Sequence, residues 1–361
     1  MSAVINFIKG YYRWAATFSK VVRREAQTLT AMPLTARIKM WCGGFFSAAY
    51  YRYEFYKGEN KPNEYVSDYQ ENLRASRINS RSSKVYVDDK IMFPLFFGKF
   101  CPVVYNYAFI NNGLVIPQTD EFKISDIDDV LHLIKSGQDV VVKPAYGSRG
   151  GQVHTISNQS TVGFIWNGQP CSDDELKEEL PKLDLNIICP LIKQASYSRE
   201  FYPRTTNTVR ILTMVDPITN QAFIAHAVQR IGTEHSYPVD NFAVGGITCN
   251  IDIPSGKIGK GSYIIPTESR KNWYTKHPET GVQIEGVQIP NWEKIKDGIV
   301  NLANSVSFLK VIGWDIVVLD NEVGYVMLEG NNAPCYKVHQ LHGGFLKDER
   351  ILKFMKAYKV I

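Results

Sequence analysis

Cysteine is scarce in this sequence, with six in 361 residues at positions 42, 101, 171, 189, 249 and 335. None forms a CxxC pair or a zinc-ligand spacing, so they predict free thiols in a reducing, cytoplasmic setting. No window reaches the roughly 18 uninterrupted apolar residues of a membrane span. Arg13 and Lys20 break the first apolar stretch, and Pro94, Gly98, Lys99 and Pro102 break the second. The N-terminus has no compact apolar segment followed by a small-residue cleavage site, which argues against secretion. Internal repeats and low-complexity tracts are also missing, and no nucleic-acid partner is expected. What is present is ordinary globular composition, 44% apolar, in a chain long enough for two or three domains.

The net charge of +5 is unevenly spread. Residues 1–88 hold 14 Lys/Arg against 7 Asp/Glu, so the excess sits at the N-terminal end. Val4, Phe7, Tyr11, Trp14, Phe18 and Val21 recur at steps of three and four, the period of an amphipathic helix. The stretch WCGGFFSAAYYRYEFY, 41–56, continues with dense aromatics. Such a stripe either packs on the next domain, the commoner outcome, or lies on anionic lipid or a membrane-bound partner. If the second holds, residues 1–56 would make a peripheral contact at the inner face of the membrane or with a glycosyltransferase.

These features divide the chain into a basic, aromatic-rich helical region with its connector (1–84), a small lobe (85–190) and a large lobe (191–361). The connector is expected to carry one helix, 67–77. In the small lobe, DIDDVLHLIKSGQ reads as a short helix capped by Ser125, and SDDELKEEL as a helix with Ser172 as N-cap and Glu175 completing a capping box. LNIICPLIKQ, 185–194, reads as a strand whose Pro190 suggests an edge or a hinge. From Thr208 strands and turns alternate up to the helix WEKIKDGIVNLANSVSF, followed by two strands and a basic helix. The order predicts an α+β enzyme.

Two stretches carry chemistry. VVVKPAYGSRGGQVHTI, 140–156, ends a β-branched run in Lys-Pro and then places three glycines in five residues. Glycines after a strand commonly let backbone approach phosphate. Neither the Walker loop nor the dinucleotide fingerprint fits, because both open a helix and the residues after these glycines alternate like a second strand. The local prediction is strand, glycine loop, strand, with Lys143 at the exit of the first. The other stretch is GWDIVVLDNEVGYVMLEGNNAP, 313–334. If Asp320–Gly324 is a hairpin loop, Leu319 pairs with Tyr325 and Asp315 lies opposite Glu329, with Asn331 on the same face. Opposed carboxylates destabilise a sheet unless a cation sits between them, and this all-oxygen set suits Mg²⁺ shared with nucleotide phosphates. Read as a surface hairpin, it would tolerate loss of either carboxylate without unfolding. His339 and His342, with Cys335 nearby, lack a fourth ligand and read as packed or solvated.

Taken together with NTVRILT, QRIG, VDNFAVGGI, HPETG, IPNW and IGWD in order, these stretches resemble the ATP-grasp superfamily, and within it the sugar-transfer-associated group related to α-L-glutamate ligases. The resemblance covers about residues 85–345. It implies the ATP-grasp fold, two α+β lobes clasping ATP, with one or two Mg²⁺. It gives Lys90 and Lys143 to the phosphates and the loop Tyr146, Gly147, Ser148, Arg149, Gly150, Gly151 to the β- and γ-phosphates through backbone N–H groups. Cys189, Leu191 and Ile192 fall in the adenine hinge, where many relatives have Glu in place of Cys189. Arg210, with Lys143 and Arg230 beside it, would act in catalysis, and Asp315, Glu329 and Asn331 would hold metal. Asn207, Asp240, Asn241, Gly245 and Gly246 are candidates for the acceptor pocket.

The expected reaction is ATP-dependent joining of a small-molecule carboxylate to an amine through an acyl phosphate, with an amino acid and an acidic sugar precursor of surface polysaccharide as the implied partners. A phosphotransferase acting on a hydroxyl, and a non-catalytic nucleotide-binding module of a glycosyltransferase complex, remain alternatives on sequence.

Overall fold

The computed structural model describes residues 25, 32–119, 124–147, 152–159, 163–264 and 271–361. The helix expected over Val4–Val21 and the loop residues Ser148, Arg149, Gly150 and Gly151 lie outside them.

Two antiparallel sheets organise the chain. The first contains β1 (Ala108–Asn111), β2 (Leu114–Pro117), β3 (Val140–Pro144), β4 (His154–Gln159), β5 (Gly163–Trp166), β6 (Gln169–Cys171) and β7 (Asn186–Pro190), in the order β2-β1-β7-β3-β4-β5-β6. Alternation gives it two different faces. Val140, Val142, Ile156 and Ile188 pack with the helix Ile127–Lys135, through its Val130, Leu131 and Ile134, and with Leu176 of the helix Asp173–Glu179. Val141, Lys143, Thr155 and Cys189 point the other way, into a cleft.

The second sheet contains β8 (Val209–Val215), β9 (Ala222–Ile231), β10 (Ile247–Ile251), β11 (Ile258–Ile264), β12 (Lys271–Tyr274), β13 (Val311–Val318) and β14 (Tyr325–Asn331), in the order β12-β11-β10-β9-β8-β13-β14. One face buries Val209, Ile211, Ile312 and Trp314 against Ile295, Ile299 and Leu302 of the helix Trp292–Ser305. The opposite face buries Leu212 and Met214 against Phe354 and Met355 of the C-terminal helix Glu349–Ala357. β8 is therefore buried along its whole length.

Several sequence expectations need adjustment. The helix Ile127–Lys135 is capped by Asp126, whose carboxylate accepts from the Asp129 N–H at 2.8 Å, while Ser125 bonds the Asp129 side chain instead. Asp126 is one residue closer to the first turn and is an equally good cap. β7 is not an edge strand; it lies between β1 and β3. Pro190 is tolerated because it is the last residue of the strand, where its missing N–H costs no interior ladder bond. The capping box of Ser172 and Glu175 is present as expected.

Residues just past 85 pack with the second sheet rather than the first. Val87, Phe93 and Phe97 join the Trp314 core, and the Phe97 and Trp314 rings meet edge to face at 5.4 Å. Trp314 is fully buried and its indole N–H donates to Thr213 Oγ1 at 2.8 Å. The aromatic stretch, in its described part, is a packed cluster of Met40, Phe45, Tyr53, Phe55 and Tyr65. Val66 and Ala75 carry that region onto the C-terminal helices.

Candidate active site

A cleft of about 1520 Å³ opens between the inner face of the first sheet and the end of the second. That exceeds the roughly 300–1,000 Å³ of a single small-molecule pocket, so two ligands have room. Its upper wall is made by alternation in β3, β4 and β7. Lys143 is the fourth residue of β3, and Cys189 is the cross-strand neighbour of Val141. Burial pushes the Cys189 thiol up against the opposing influence of Lys143 and Lys90, which both lie close to it. Leu191, Ile192 and Tyr146 line the same wall.

Gly147 turns the chain out of β3 at φ +94°, a conformation that favours glycine, with nothing within 4 Å of the position of a Cβ. The residue is required by backbone conformation and not by crowding. Its carbonyl accepts from Lys90 Nζ at 2.8 Å, and that ammonium also stands 3.6 Å from Glu329. Lys90 therefore ties the glycine loop of one lobe to the acidic floor of the other.

The floor is built by register. Arg210 of β8 is the cross-strand neighbour of Asp315 of β13, which in turn lies opposite Glu329 of β14. Asn331 falls opposite Gly313 and donates to its carbonyl at 3.3 Å. The expected pairing of Asp315 with Glu329 is correct, but by a different route. Val318, not Leu319, pairs with Tyr325, and a bulge at Leu328 restores the register before Glu329.

Asp315 is not a surface carboxylate. It is 1% exposed and held by Arg210 through Nε and Nη2, both at 2.5 Å, with Arg230 Nη2 at 3.4 Å. Burial alone would raise its pKa; the two guanidiniums outweigh that and hold it at about 2. Burial likewise opposes the charge of Arg210, and Asp315 more than restores it. Arg230 is pinned in turn by Asp240 at 3.0 Å and donates to Thr208 Oγ1 at 2.9 Å, while that hydroxyl donates to Asp240. Burial raises the Asp240 carboxyl, with Arg230 and Thr208 opposing.

The structure brings Lys90, Lys143, Tyr146, Gly147, Cys189, Leu191, Ile192, Arg210, Arg230, Asp240, Asn241, Asp315, Glu329 and Asn331 around one cleft. It leaves three expected residues behind the wall. Asn207 is 1% exposed, and its amide is spent on Ser198, Tyr202 and Gly232. Gly245 packs on His235, and a Cβ on Gly246 would stand 2.2 Å from the Asp240 carbonyl. These glycines allow the chain to approach itself, which positions Asp240, rather than allowing a ligand to approach them.

The donor set fits a hard cation delivered with nucleotide. Among the described residues no three His, Cys, Asp or Glu side chains gather. With only two carboxylates, the third oxygen would be that of Asn331, whose amide nitrogen is already engaged. Glu329 stands 3.6 Å from Lys90 and beside Asp315, and at 26% side-chain exposure against 2% for Asp315 it is the more accessible of the two carboxylates. Asp315 would share its oxygens with arginine.

A family profile described as sugar-transfer associated ATP-grasp matches residues 70–353. The chain belongs to that family. Its fold is the α+β ATP-grasp fold, with the two sheets as the two lobes. Solved structures similar to this ATP-grasp chain include N5-carboxyaminoimidazole synthetase from Staphylococcus aureus complexed with ADP, at 12% identity and TM-score 0.41 over 79% of this chain and 59% of that one. Biotin carboxylase from Campylobacter jejuni matches at 10% identity and TM-score 0.41, over 76% and 46%. D-cycloserine synthetase DcsG matches at 12% identity and TM-score 0.40, over 77% and 71%. The chain thus spans about half the length of some of the solved proteins it matches. Comparison with curated proteins gave no significant match.

Sequence reasoning missed several cleft residues. Phe46, Ala48 and Arg52 reach it from the aromatic N-terminal segment, and Lys337 from just beyond the Asn331 strand. Lys337 stands six residues after a predicted ligand and could have been flagged by proximity. Nothing local distinguishes Arg52 within its run of tyrosines.

Proposed function

We propose that this protein is an ATP-dependent carboxylate–amine ligase that forms an amide through an acyl phosphate, releasing ADP and phosphate. The observation that carries this reading is the charge of the cleft, where nine Lys/Arg face four Asp/Glu. Such an excess suits a polyphosphate together with a second anionic ligand.

Lys143 and Lys90 would bind the phosphates as point charges, and the backbone from Tyr146 through the glycine loop would cover the terminal ones. Arg210 and Arg230, fixed by Asp315 and Asp240, would present preorganised donors to the phosphoryl group as a substrate carboxylate oxygen attacks the γ-phosphorus. Fixed forks need little reorganisation as charge moves, which is why the buried acids matter. Magnesium, held by Glu329, Asn331 and Asp315, would neutralise charge on the terminal phosphates. The amine then attacks the acyl carbon and phosphate leaves.

We further propose that the acid is a sugar acid or an amino acid used in surface polysaccharide synthesis. Any contact with a glycosyltransferase or a membrane surface falls to residues 1–56, where Leu34, Ile38 and Trp41 stand exposed along the helix Leu34–Cys42. No helix among the described residues is long and apolar enough to cross a membrane.

An ADP-release screen over amino acids and sugar acids, with hydroxylamine as the amine, tests the reading. A hydroxamate formed together with ADP is expected. AMP would reject the mechanism, and ADP with a stable phosphate ester would make the protein a phosphotransferase.

A further inference from the structure

One end of the cleft is built by a segment that the family match does not include. Arg52 closes the short helix Ala49–Arg52, and it lines the cleft with Phe46 and Ala48, all before residue 70. Lys337, its Nζ 5.9 Å from the Phe46 ring centre, and Val338 line the same cleft. Arg52 Nη1 is buried and has no hydrogen-bond partner among the described residues. Buried donors of charged groups are rarely left in that state, because water has been removed and nothing replaces it.

The surroundings limit what could answer it. Lys337 is already paired with Asp68 at 2.9 Å, and the same Asp68 accepts from the Phe46 N–H at 2.9 Å. Tyr53, Asp68 and Cys335 lie close enough to act on the Arg52 charge, Tyr53 also through a side-chain hydrogen bond and with its ring centre 5.8 Å from the guanidinium carbon, and Glu71 is within its influence as well. Burial pushes the Glu71 carboxyl up, so it contributes less negative charge than an exposed glutamate would. The Nη1 group of the guanidinium is therefore left over beside two acids. That arrangement has room for a single negative charge and would repel a phosphate dianion. Phe46, Ala48 and Val338 supply apolar contact beside it.

We propose that Arg52 is the anchor of a carboxylate subsite, through which the segment preceding the matched span selects an acidic substrate. The chemical class is a small carboxylate carrying an apolar or sugar-ring face, held by the free Nη1 with Lys337 alongside. This takes its substrate class from the ligase reading, but the contact itself rests on the buried donor. The match in charge and donor count also makes the subsite distinct from the polyphosphate end, which is lined by Lys90 and Lys143.

The test is calorimetric titration of the full chain, with MgADP bound, using D-glucuronate, its uncharged counterpart D-glucose, and L-glutamate. The wild type is expected to bind at least one acid and not glucose. Arg52→Gln is expected to weaken the acid by about tenfold or more while MgADP affinity stays within about twofold. Arg52→Lys keeps the buried charge without the fork, and intermediate binding is expected. Failure of both acids to bind the wild type at millimolar concentration would overturn the proposal. So would equal binding by the wild type and both variants, or inorganic phosphate displacing the acid from this end. A chain that binds acid through Arg52 yet releases no ADP with any acid would sink the ligase reading and leave the subsite standing.

Discussion

Asp315 is buried between two guanidiniums, so its removal should be felt first as instability. Asp315→Ala leaves Arg210 and Arg230 without their shared acid, and breaking a buried pair in this way costs about 3–5 kcal/mol. Glu329 is partly exposed, with Lys90 at 3.6 Å and Asp315 beside it. Glu329→Gln should therefore change stability by no more than about 1 kcal/mol while abolishing Mg²⁺-dependent turnover. Urea denaturation beside an ADP-release assay separates the two variants; equal stability would contradict the burial argument. The pH sign follows from the same geometry. The folded pKa of Asp315, about 2, is below that of an unfolded aspartate, so its stabilisation is present above about pH 4 and is lost as pH falls toward 2. At this scale the sequence revealed the pairing of Asp315 with Glu329, because a hairpin brings them together locally. It could not reveal their arginine partner. Arg210 lies 105 residues away, and only the β8–β13 pairing brings the two side chains together.

The elements behind the site carry their own titration. His226 of β9 faces His339 of the helix Tyr336–Gln340 with their Nδ1 atoms 3.2 Å apart, and both rings meet Phe345. Burial lowers the His226 pKa to about 4, and burial with His226 nearby pushes His339 well below its ordinary value. His342, three residues on, is lowered in the same way. Each is neutral when folded, so as pH falls below about 6.5 the unfolded chain takes up protons that the fold excludes. Stability should therefore decline from pH 6.5 to 4, with His226 alone contributing about 3 kcal/mol. Melting temperature followed across that range checks it, and His226→Leu should flatten the slope. A profile unchanged by that variant would contradict the assignment. The sequence reading left His339 and His342 as packed or solvated; the structure buries His339, and its pairing with His226 of β9 was invisible to that reading. Element boundaries were legible where a local signal exists, as with the Ser172 capping box. They were missed where the tertiary position decides. Nothing in LNIICPLIKQ says that β7 will be flanked on both sides, and nothing in 313–334 announces the bulge at Leu328.

The whole molecule places a basic cleft between two sheets and closes one end with residues from the aromatic N-terminal segment. Residues 45–65 pack as a core of their own, and Val66 and Ala75 join them to the C-terminal helices, so this segment is part of the cleft's wall. The two-lobed α+β architecture was legible from the order of motifs. The contribution of the N-terminal segment to the cleft was not, because packing across more than 250 residues of chain leaves no periodic trace; Val66 and Gln340, for example, bond through backbone and amide at 2.7 Å. The central claim is that a carboxylate is activated on the γ-phosphate. It is tested most directly with a carboxylate substrate labelled with ¹⁸O at both carboxyl oxygens, the released phosphate and nucleotide being read by mass spectrometry. The account predicts one ¹⁸O in inorganic phosphate per amide formed and unlabelled ADP. Label in AMP, or amide formed with unlabelled phosphate, would contradict it.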